Sequence, residues 1–330
     1  MIVPRFLLNN IIAVDVFFLA VLPVIAAILV WCFAGRNRKS LFKGIVVAFL
    51  LSSVYAYGRY VESRQLTVSH VELSFKDLPA AFDGYRIVQV SDLHVGTLTA
   101  DMLRRVVDSV QTQRPQMIAI TGDMQNCESK ELVPMLPQLK RLKAPDGIYS
   151  VLGNHDYCDY ATFFDDDFER TLDIGRLVGT QQTLGWTVLM NGHRFLQRDS
   201  SRIVVAGMEN DGEGHFPAKG DIGSTLFGVK RNDFVIMLEH DPTSWRRKIL
   251  PHCHAQLTLS GHTHGGQLSL FGWTPASLKY KETGGLYRNG DRCLYVTKGI
   301  GGGIPVRLGV KPEIVVITLK KANRNNLITK

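Results

Sequence analysis

The chain has 330 residues, 45% of them hydrophobic, and a net charge of +8. Its length admits one large domain or two smaller ones, and its apolar content is high for a purely soluble enzyme. Five of the net positive charges lie in residues 1–65, and no basic helix or aromatic-basic array follows, which argues against nucleic acid as a dedicated partner.

The apolar excess is concentrated at the N-terminus. Ile11 to Ala34 is an almost unbroken apolar run, interrupted only by residues such as Asp15 and Pro23, and it exceeds the roughly 20 residues a helix needs to cross a bilayer. A second run, about Leu41 to Tyr57, ends among Tyr55, Tyr57 and Tyr60, a residue type suited to a membrane interface. The two runs predict a transmembrane helical hairpin, about 11–34 and 41–57, inside a membrane anchor of residues 1–65. The first run is too long for a cleaved signal peptide, and its start lacks the usual cluster of positive charge. Arg36, Arg38, Lys39 and Lys43 lie between the runs. That bias puts the connecting loop in the cytoplasm and everything after Tyr60 on the extracytoplasmic side of the cell membrane. Asp15 is expected near a helix end, at the interface.

Leu66 to Phe75 alternates as a half-buried strand does. Five later segments share one design, in which an apolar run ends abruptly in metal-binding residue types. Ile87 to Val90 runs into Asp92-Leu93-His94, Met117 to Thr121 into Gly122-Asp123, and Ile148 to Leu152 into Gly153-Asn154-His155-Asp156. Phe234 to Leu238 runs into Glu239-His240, and Ala255 to Ser260 into Gly261-His262-Thr263-His264. Thr99 caps a helix with Met102, Leu103, Val106, Val107 and Val110 on one face. The order strand, helix, strand implies right-handed crossovers and parallel pairing. Ligands of such sheets gather at the carboxyl ends of the strands.

Further helices are expected over Lys130 to Leu142, despite Pro134 and Pro137, and over Ala161 to Val178. Asp165, Asp166 and Asp167 near the start of the latter favour its dipole. Trp186 to Asn191, Arg194 to Arg198 and Ile203 to Gly207 read as strands of a second sheet, and Gln267 to Phe271, Cys293 to Lys298 and Ile314 to Leu319 as later strands. Gly299 to Gly303 is a glycine-rich turn, with Arg307 close enough in sequence to reach a substrate phosphate. His252-Cys253-His254 looks like a metal site, but it precedes a strand, where neighbouring side chains point to opposite faces. The cysteines form no CxxC pair, and residues 321–330 read as a flexible basic tail.

Taken in order, these five blocks resemble the motifs of calcineurin-like metallophosphoesterases, over about Gly84 to Leu319. With the N-terminal apolar segment, the chain is similar to the bacterial membrane-anchored phosphodiesterase branch of that superfamily. The resemblance implies an α/β fold, a four-layer αββα sandwich of two mixed sheets, over residues 66–320. It also implies two metal ions, of Mn, Fe or Zn. One would take Asp92, His94, Asp123 and His264, and the other Asp123, Asn154, His240 and His262. A hydroxide bridging them would attack phosphorus in line. His155 would stabilise or protonate the leaving oxygen, with Asp156 orienting its ring.

The implied activity is hydrolysis of a phosphoester, with a phosphodiester preferred and a lipid-linked or envelope substrate fitting the anchor. A pyrophosphatase acting on a nucleotide- or lipid-linked substrate such as UDP-diacylglucosamine is one alternative. A non-catalytic, membrane-tethered metal-binding scaffold is another. Nothing in the sequence displays an oligomer surface.

Overall fold

The computed structural model describes residues 5–322, so part of the expected basic tail, residues 323–330, lies outside the described residues. The first apolar run is helical through three consecutive stretches, Arg5–Val16, Phe17–Val21 and Leu22–Phe33, the middle one with wider π turns. Pro23 has no N–H to give the Leu19 carbonyl. Ser52 Oγ of the second apolar helix donates to that carbonyl instead, at 3.1 Å. The second helix, Arg38–Tyr60, starts at an Asn37 cap whose side chain accepts from Ser40 N. Both are long and apolar enough to cross a membrane. They approach closely at Gly44, where a Cβ would meet the Ala27 carbonyl oxygen at 2.5 Å. Asp15 is not left to solvent. Its carboxylate accepts from Tyr55 Oη at 2.6 Å and Arg59 Nε at 3.1 Å, so three polar groups across the pair satisfy one another.

Among the described residues, twelve strands form two six-stranded sheets. They are β1 (Thr67–Phe75), β2 (Arg86–Val90), β3 (Met117–Thr121), β4 (Ile148–Val151), β5 (Thr187–Val188), β6 (Gly192–Arg198), β7 (Ser201–Gly207), β8 (Phe234–Leu238), β9 (Leu257–Ser260), β10 (Gly285–Asn289), β11 (Arg292–Val296) and β12 (Glu313–Lys321). The first sheet has the order β1-β12-β2-β3-β4-β5 and the second β10-β11-β9-β8-β7-β6. Both are mixed. In the first, only β12 and β2 run antiparallel; in the second, β7, β8, β9 and β11 are parallel and the two edge strands antiparallel.

The period of two along each strand separates the layers. On β8, Phe234, Ile236 and Leu238 join Ile87, Met117, Ala119, Val315 and Ile317 in the core between the sheets. Val235 and Met237 point the other way, into a core with Val204, Ala206, Trp245 and Ile249. On the outer face of the first sheet, Val88, Val90, Ile118 and Ile120 meet Met102, Leu103, Val106, Val107 and Val110 of the helix Ala100–Thr112. The fold is therefore a four-layer αββα sandwich. Truncating a residue such as Ile236, fully buried between the sheets, would cost about 2–5 kcal/mol.

Several expectations are corrected. The Trp186 to Asn191 segment belongs to the first sheet, not the second, because Thr187 and Val188 pair with Tyr149 and Ser150 of β4. The helix expected from Ala161 begins only at Asp167, where Asp166 caps it by accepting from Glu169 N. Over Lys130 to Leu142, the two prolines leave a 3-10 stretch, Ser129–Met135, and one α turn, Leu136–Leu139. Gln267 to Phe271 is not a strand. Gln267 and Phe271 both have positive φ, and the segment makes only single bridges, Leu268 with Leu308 and Leu270 with Trp273.

Candidate metal centre

The strand ends carry the chemistry to one edge. Asp92 and His94 follow β2, Asp123 follows β3, and Asn154 to Asp156 follow β4 in the first sheet; His240 follows β8, and His262 and His264 follow β9 in the second. The chain turns sharply after β2, β3 and β9. Asp92, His94, Asp123, His262 and His264 all have φ between 44° and 71°, a left-handed conformation that costs a non-glycine residue energy and tends to persist at functional sites. The glycines beside them are there for space. A Cβ on Gly261 would collide with Ser91 Oγ and Asp92 Oδ2, and one on Gly153 with Asp123 Oδ1.

One ligand atom each from Asp92, His94, Asp123 and His264 lies within 4.8 Å of the others. A second convergence adjoins it. His240 Nε2 is 3.2 Å from both Asp123 Oδ2 and Asn154 Oδ1, and His262 Nδ1 is 2.7 Å from Asn154 Oδ1. Asp123 Oδ2 also lies 3.5 Å from His94 Nε2, so this carboxylate faces both groups.

The two groups differ in how their imidazoles are satisfied. His240 Nδ1 is fixed by the Thr121 carbonyl at 2.7 Å, and His262 Nε2 by Tyr280 Oη at 3.0 Å, with Asp241 Oδ2 at 3.6 Å. Carbonyl and carboxylate partners of this kind orient ligating histidines. His94, fully buried, has no hydrogen-bond partner on either ring nitrogen among the described residues, and His264 Nδ1 has none. Buried imidazole nitrogens without partners are costly unless something else satisfies them, and a cation would. Burial, then the neighbouring His155, lowers the pKa of His94 to about 3; burial, opposed by Asp241, lowers that of His262 to about 4. Both rings are held neutral, as ligands must be. Burial opposes charge on Asp123 as well, yet the facing His240 and His155 hold its carboxyl well below the usual range. The donor set, carboxylates with imidazoles in a buried cradle, fits a metal ion.

His155 is half-exposed beside this cradle. Its backbone N donates to Asp123 Oδ1 at 2.9 Å, its ring stacks on Tyr160 at 4.1 Å, and its Nδ1 lies 2.8 Å from the Asn126 carbonyl. The expected orienter, Asp156, points elsewhere. Its carboxylate accepts from the backbone N–H of Asp123, Met124, Gln125 and Gly153 at 2.8–3.2 Å, because residue 156 is the third residue of the 3-10 turn Asn154–Tyr157 and its side chain reaches back to the Gly153 amide at the start of that turn. Arg307 is also corrected. It is 1% exposed, and its guanidinium donates to the carbonyls of Lys298, Gly299 and Gly301, which pins the glycine turn and leaves no open face for a phosphate.

A calcineurin-like phosphoesterase family model matches residues 85–266, a span that contains every one of these strand ends. The chain belongs to the calcineurin-like phosphoesterases. Such a phosphoesterase is a metal-dependent phosphoester hydrolase. The chain is 31% identical over 301 residues to the uncharacterized metallophosphoesterase YkuE of Bacillus subtilis (strain 168), covering 87% of this chain and 99% of that one. It is 31% identical over 293 residues to a transmembrane protein with metallophosphoesterase domain of Danio rerio, covering 85% of this chain and 64% of that one. An uncharacterized metallophosphoesterase of Aquifex aeolicus (strain VF5) is 29% identical over 267 residues, with 79% and 94% covered.

Sequence reasoning missed Asn126, Tyr160, Tyr280 and Asp241 as neighbours of the site. Tyr160, five residues past His155, was within reach of a local argument. Tyr280 arrives from a distant loop, and no pattern in the chain marks it.

His252, Cys253 and His254 join no metal-binding group among the described residues. Cys158 is buried and in the left-handed region, and closes the turn after Tyr157.

Proposed function

We propose that this phosphoesterase holds two metal ions and hydrolyses a phosphodiester drawn from the membrane or envelope. On this reading residues 1–65 anchor it in the membrane through two spans, with residues 66–320 on the extracytoplasmic side. The observation that carries it is the position of Asp123. One carboxylate oxygen faces His94 on one side and His240 on the other, so Asp123 is the shared wall of two adjoining cradles. Asp92, His94 and His264 complete the first; Asn154, His240 and His262 complete the second. The charge bias of Arg36, Arg38, Lys39 and Lys43 supports the orientation.

When bound, a pair of such ions activates water and neutralises charge on the phosphoryl oxygens. The chain supplies the rest. The Asn126 carbonyl accepts from His155 Nδ1–H, which fixes the tautomer and leaves Nε2 as the atom that meets substrate. A proton carried on Nε2 is delivered to the leaving oxygen, and the Asn126 carbonyl steadies the cationic ring that holds it. Tyr160 keeps the ring in plane by stacking. Asp156 holds the Asp123 and Asn154 loops together through four amides.

The test is metal content and turnover of the full chain with bis-(4-nitrophenyl) phosphate and 4-nitrophenyl phosphate in the presence of Mn. Two ions per chain and a preference for the diester are expected, with both lost in Asp123→Asn. One ion per chain in active protein would defeat the two-cradle reading. Metal-loaded, folded protein that turns over neither ester would defeat the phosphodiesterase reading. A reporter active only outside the cytoplasm, fused to Lys330, is expected to be bright; a dark fusion reverses the orientation.

A further inference from the structure

A cavity of about 420 Å³ lies between the two apolar helices and the catalytic sandwich, within the roughly 300–1,000 Å³ of small-molecule sites. Its walls include Val14 and Phe18 of the first helix, Leu51 and Val54 of the second, and Ile304 and Val306 of the segment after β11. Tyr55 also lines it, with its hydroxyl committed to Asp15. The walls are thus hydrocarbon, and two of the three are helices of bilayer-crossing length.

Beside the cavity is a tight hairpin. Leu270 and Trp273 exchange backbone hydrogen bonds of 2.9 and 3.0 Å, and Phe271 and Gly272 turn between them with φ of 49° and 84°. Leu270, Phe271 and Trp273 are 62%, 102% and 54% exposed. Contiguous large apolar side chains at a loop tip mark contact with a membrane or partner. The hairpin is tied to the cavity, because Leu268 of the same loop bridges Leu308, and both line it. A tip fixed to that wall, next to helices of this length, is shaped for contact with lipid.

The cavity also reaches toward the metal cradle. Gln267 lines it three residues after His264, and three residues span at most about 11 Å. From the other side, Gly301 packs so closely on His94 that a Cβ there would be 3.1 Å from the His94 Cβ, and Ile304 of the cavity wall is again three residues on. In the opposite direction the cavity follows the second helix from Gly58 to Leu51, about 10 Å at the helical rise.

We infer that this cavity receives the hydrocarbon chain of a lipid phosphoester, whose phosphoryl end is thereby presented to the metal cradle. The inference rests on the hydrolase reading of that cradle and names its substrate class. A resident bilayer lipid with no part in turnover is the competing occupant.

Two measurements on the full chain in nanodiscs separate these. The first is a monomeric series of 4-nitrophenyl alkyl phosphodiesters, methyl, butyl and octyl. Each methylene moved from water into the cavity is worth up to about fourfold, so kcat/KM is expected to rise at least about tenfold from methyl to octyl. Filling the cavity with Val54→Trp, or Leu51→Trp as a second variant, is expected to remove that rise. Ile45→Trp, on the second helix but away from the cavity, keeps it. A flat series in the native chain, or a rise that survives both filled variants, overturns the inference.

The second measurement needs no turnover. An octyl phosphate with a terminal diazirine is expected to label peptides containing Leu51, Val54 or Val306, with labelling lowered about tenfold in a filled variant. Equal labelling by a phosphate-free octyl diazirine identifies a resident lipid and overturns the inference. If no ester is hydrolysed at all, the hydrolase reading fails while this labelling still decides whether a phosphate-bearing chain enters.

Discussion

The two edges of the same pair of sheets are built on opposite principles. At the amino edge the charged side chains are paired, although Tyr85 Oη, Trp186 Nε1 and His254 Nε2 have no hydrogen-bond partner among the described residues. Arg202 of β7 forms a two-bonded pair with Asp233 just before β8, Arg86 donates to the Gln113 carbonyl, and Gln256 accepts from Val235 N. At the carboxyl edge, aspartates and histidines sit in left-handed backbone, and the His94 nitrogens, His264 Nδ1 and Asp241 Oδ2 have no hydrogen-bond partner among the described residues. The sandwich supplies the stability that the carboxyl edge lacks. Groups left unsatisfied there are the ones a metal ion or a substrate would engage, so substitutions at that edge should damage activity more than folding.

The largest effect should come from His155. His155→Gln is expected to lower kcat by about 10²–10⁴, the usual worth of a proton-transferring residue, with metal content and melting temperature near native. If metal is lost as well, His155 is a ligand rather than a proton donor, and the division between cradle and donor fails. Next is Asp156, a carboxyl-edge group whose carboxylate is as fully paired as the charged groups of the amino edge. Four amide donors converge on it, and a hydrogen bond to a charged group contributes about 1.5–3 kcal/mol. Asp156→Asn, which keeps one acceptor oxygen, should lower the stability of chelator-treated protein by about 2–3 kcal/mol in denaturant titration. Unchanged stability would show that the loops hold without it.

These two neighbours also show what the sequence made legible. The five strand ends could be read because each apolar run and its polar terminus are contiguous, and parallel crossovers then leave little choice about which edge they share. The side-chain directions inside the turns could not. His155 and Asp156 are adjacent, yet one faces the cradle and the other turns beneath it, which depends on the Asn154–Tyr157 turn rather than on residue type. The sheet to which Thr187 and Val188 belong is a long-range pairing with β4, and apolar alternation gives no partner. Arg307 departs from its expected role for a related reason. A cation near a glycine turn suggests phosphate, but the bare carbonyls of such a turn are acceptors, and they take the guanidinium themselves.

Asp241 should have a smaller effect than either. It lies 3.6 Å from His262 Nε2, with Tyr280 Oη nearer at 3.0 Å. Groups that orient a ligating imidazole typically contribute 10–100-fold in metal affinity. Asp241→Asn is expected near about tenfold, because Tyr280 still holds the ring, and Tyr280→Phe combined with it should reach the upper end. Metal titration of the two variants and the double checks this; strictly additive effects would mean that the two groups do not share His262.

The smallest effect belongs to the amino edge and is the control for the rest. Asp233 is held below the ordinary carboxylate range, first by its hydrogen bonds with Arg202 and against a smaller opposing effect of burial. A carboxyl whose folded pKa lies below its unfolded one, near 3.9, stabilises the fold above that unfolded value. The contribution disappears as pH falls through the folded pKa. The Arg202 side chain is about a third exposed, so solvent and salt screen the pair. Asp233→Asn should therefore lower the neutral-pH melting temperature by no more than about 2 °C. The difference from native protein should shrink on acidification, and kcat and metal content should not change. A loss of activity here would mean that the two edges are mechanically coupled through β8, which runs from just after Asp233 to just before Glu239 and His240. The contrast between a stabilising edge and a reactive one would then give way to a single strained sheet.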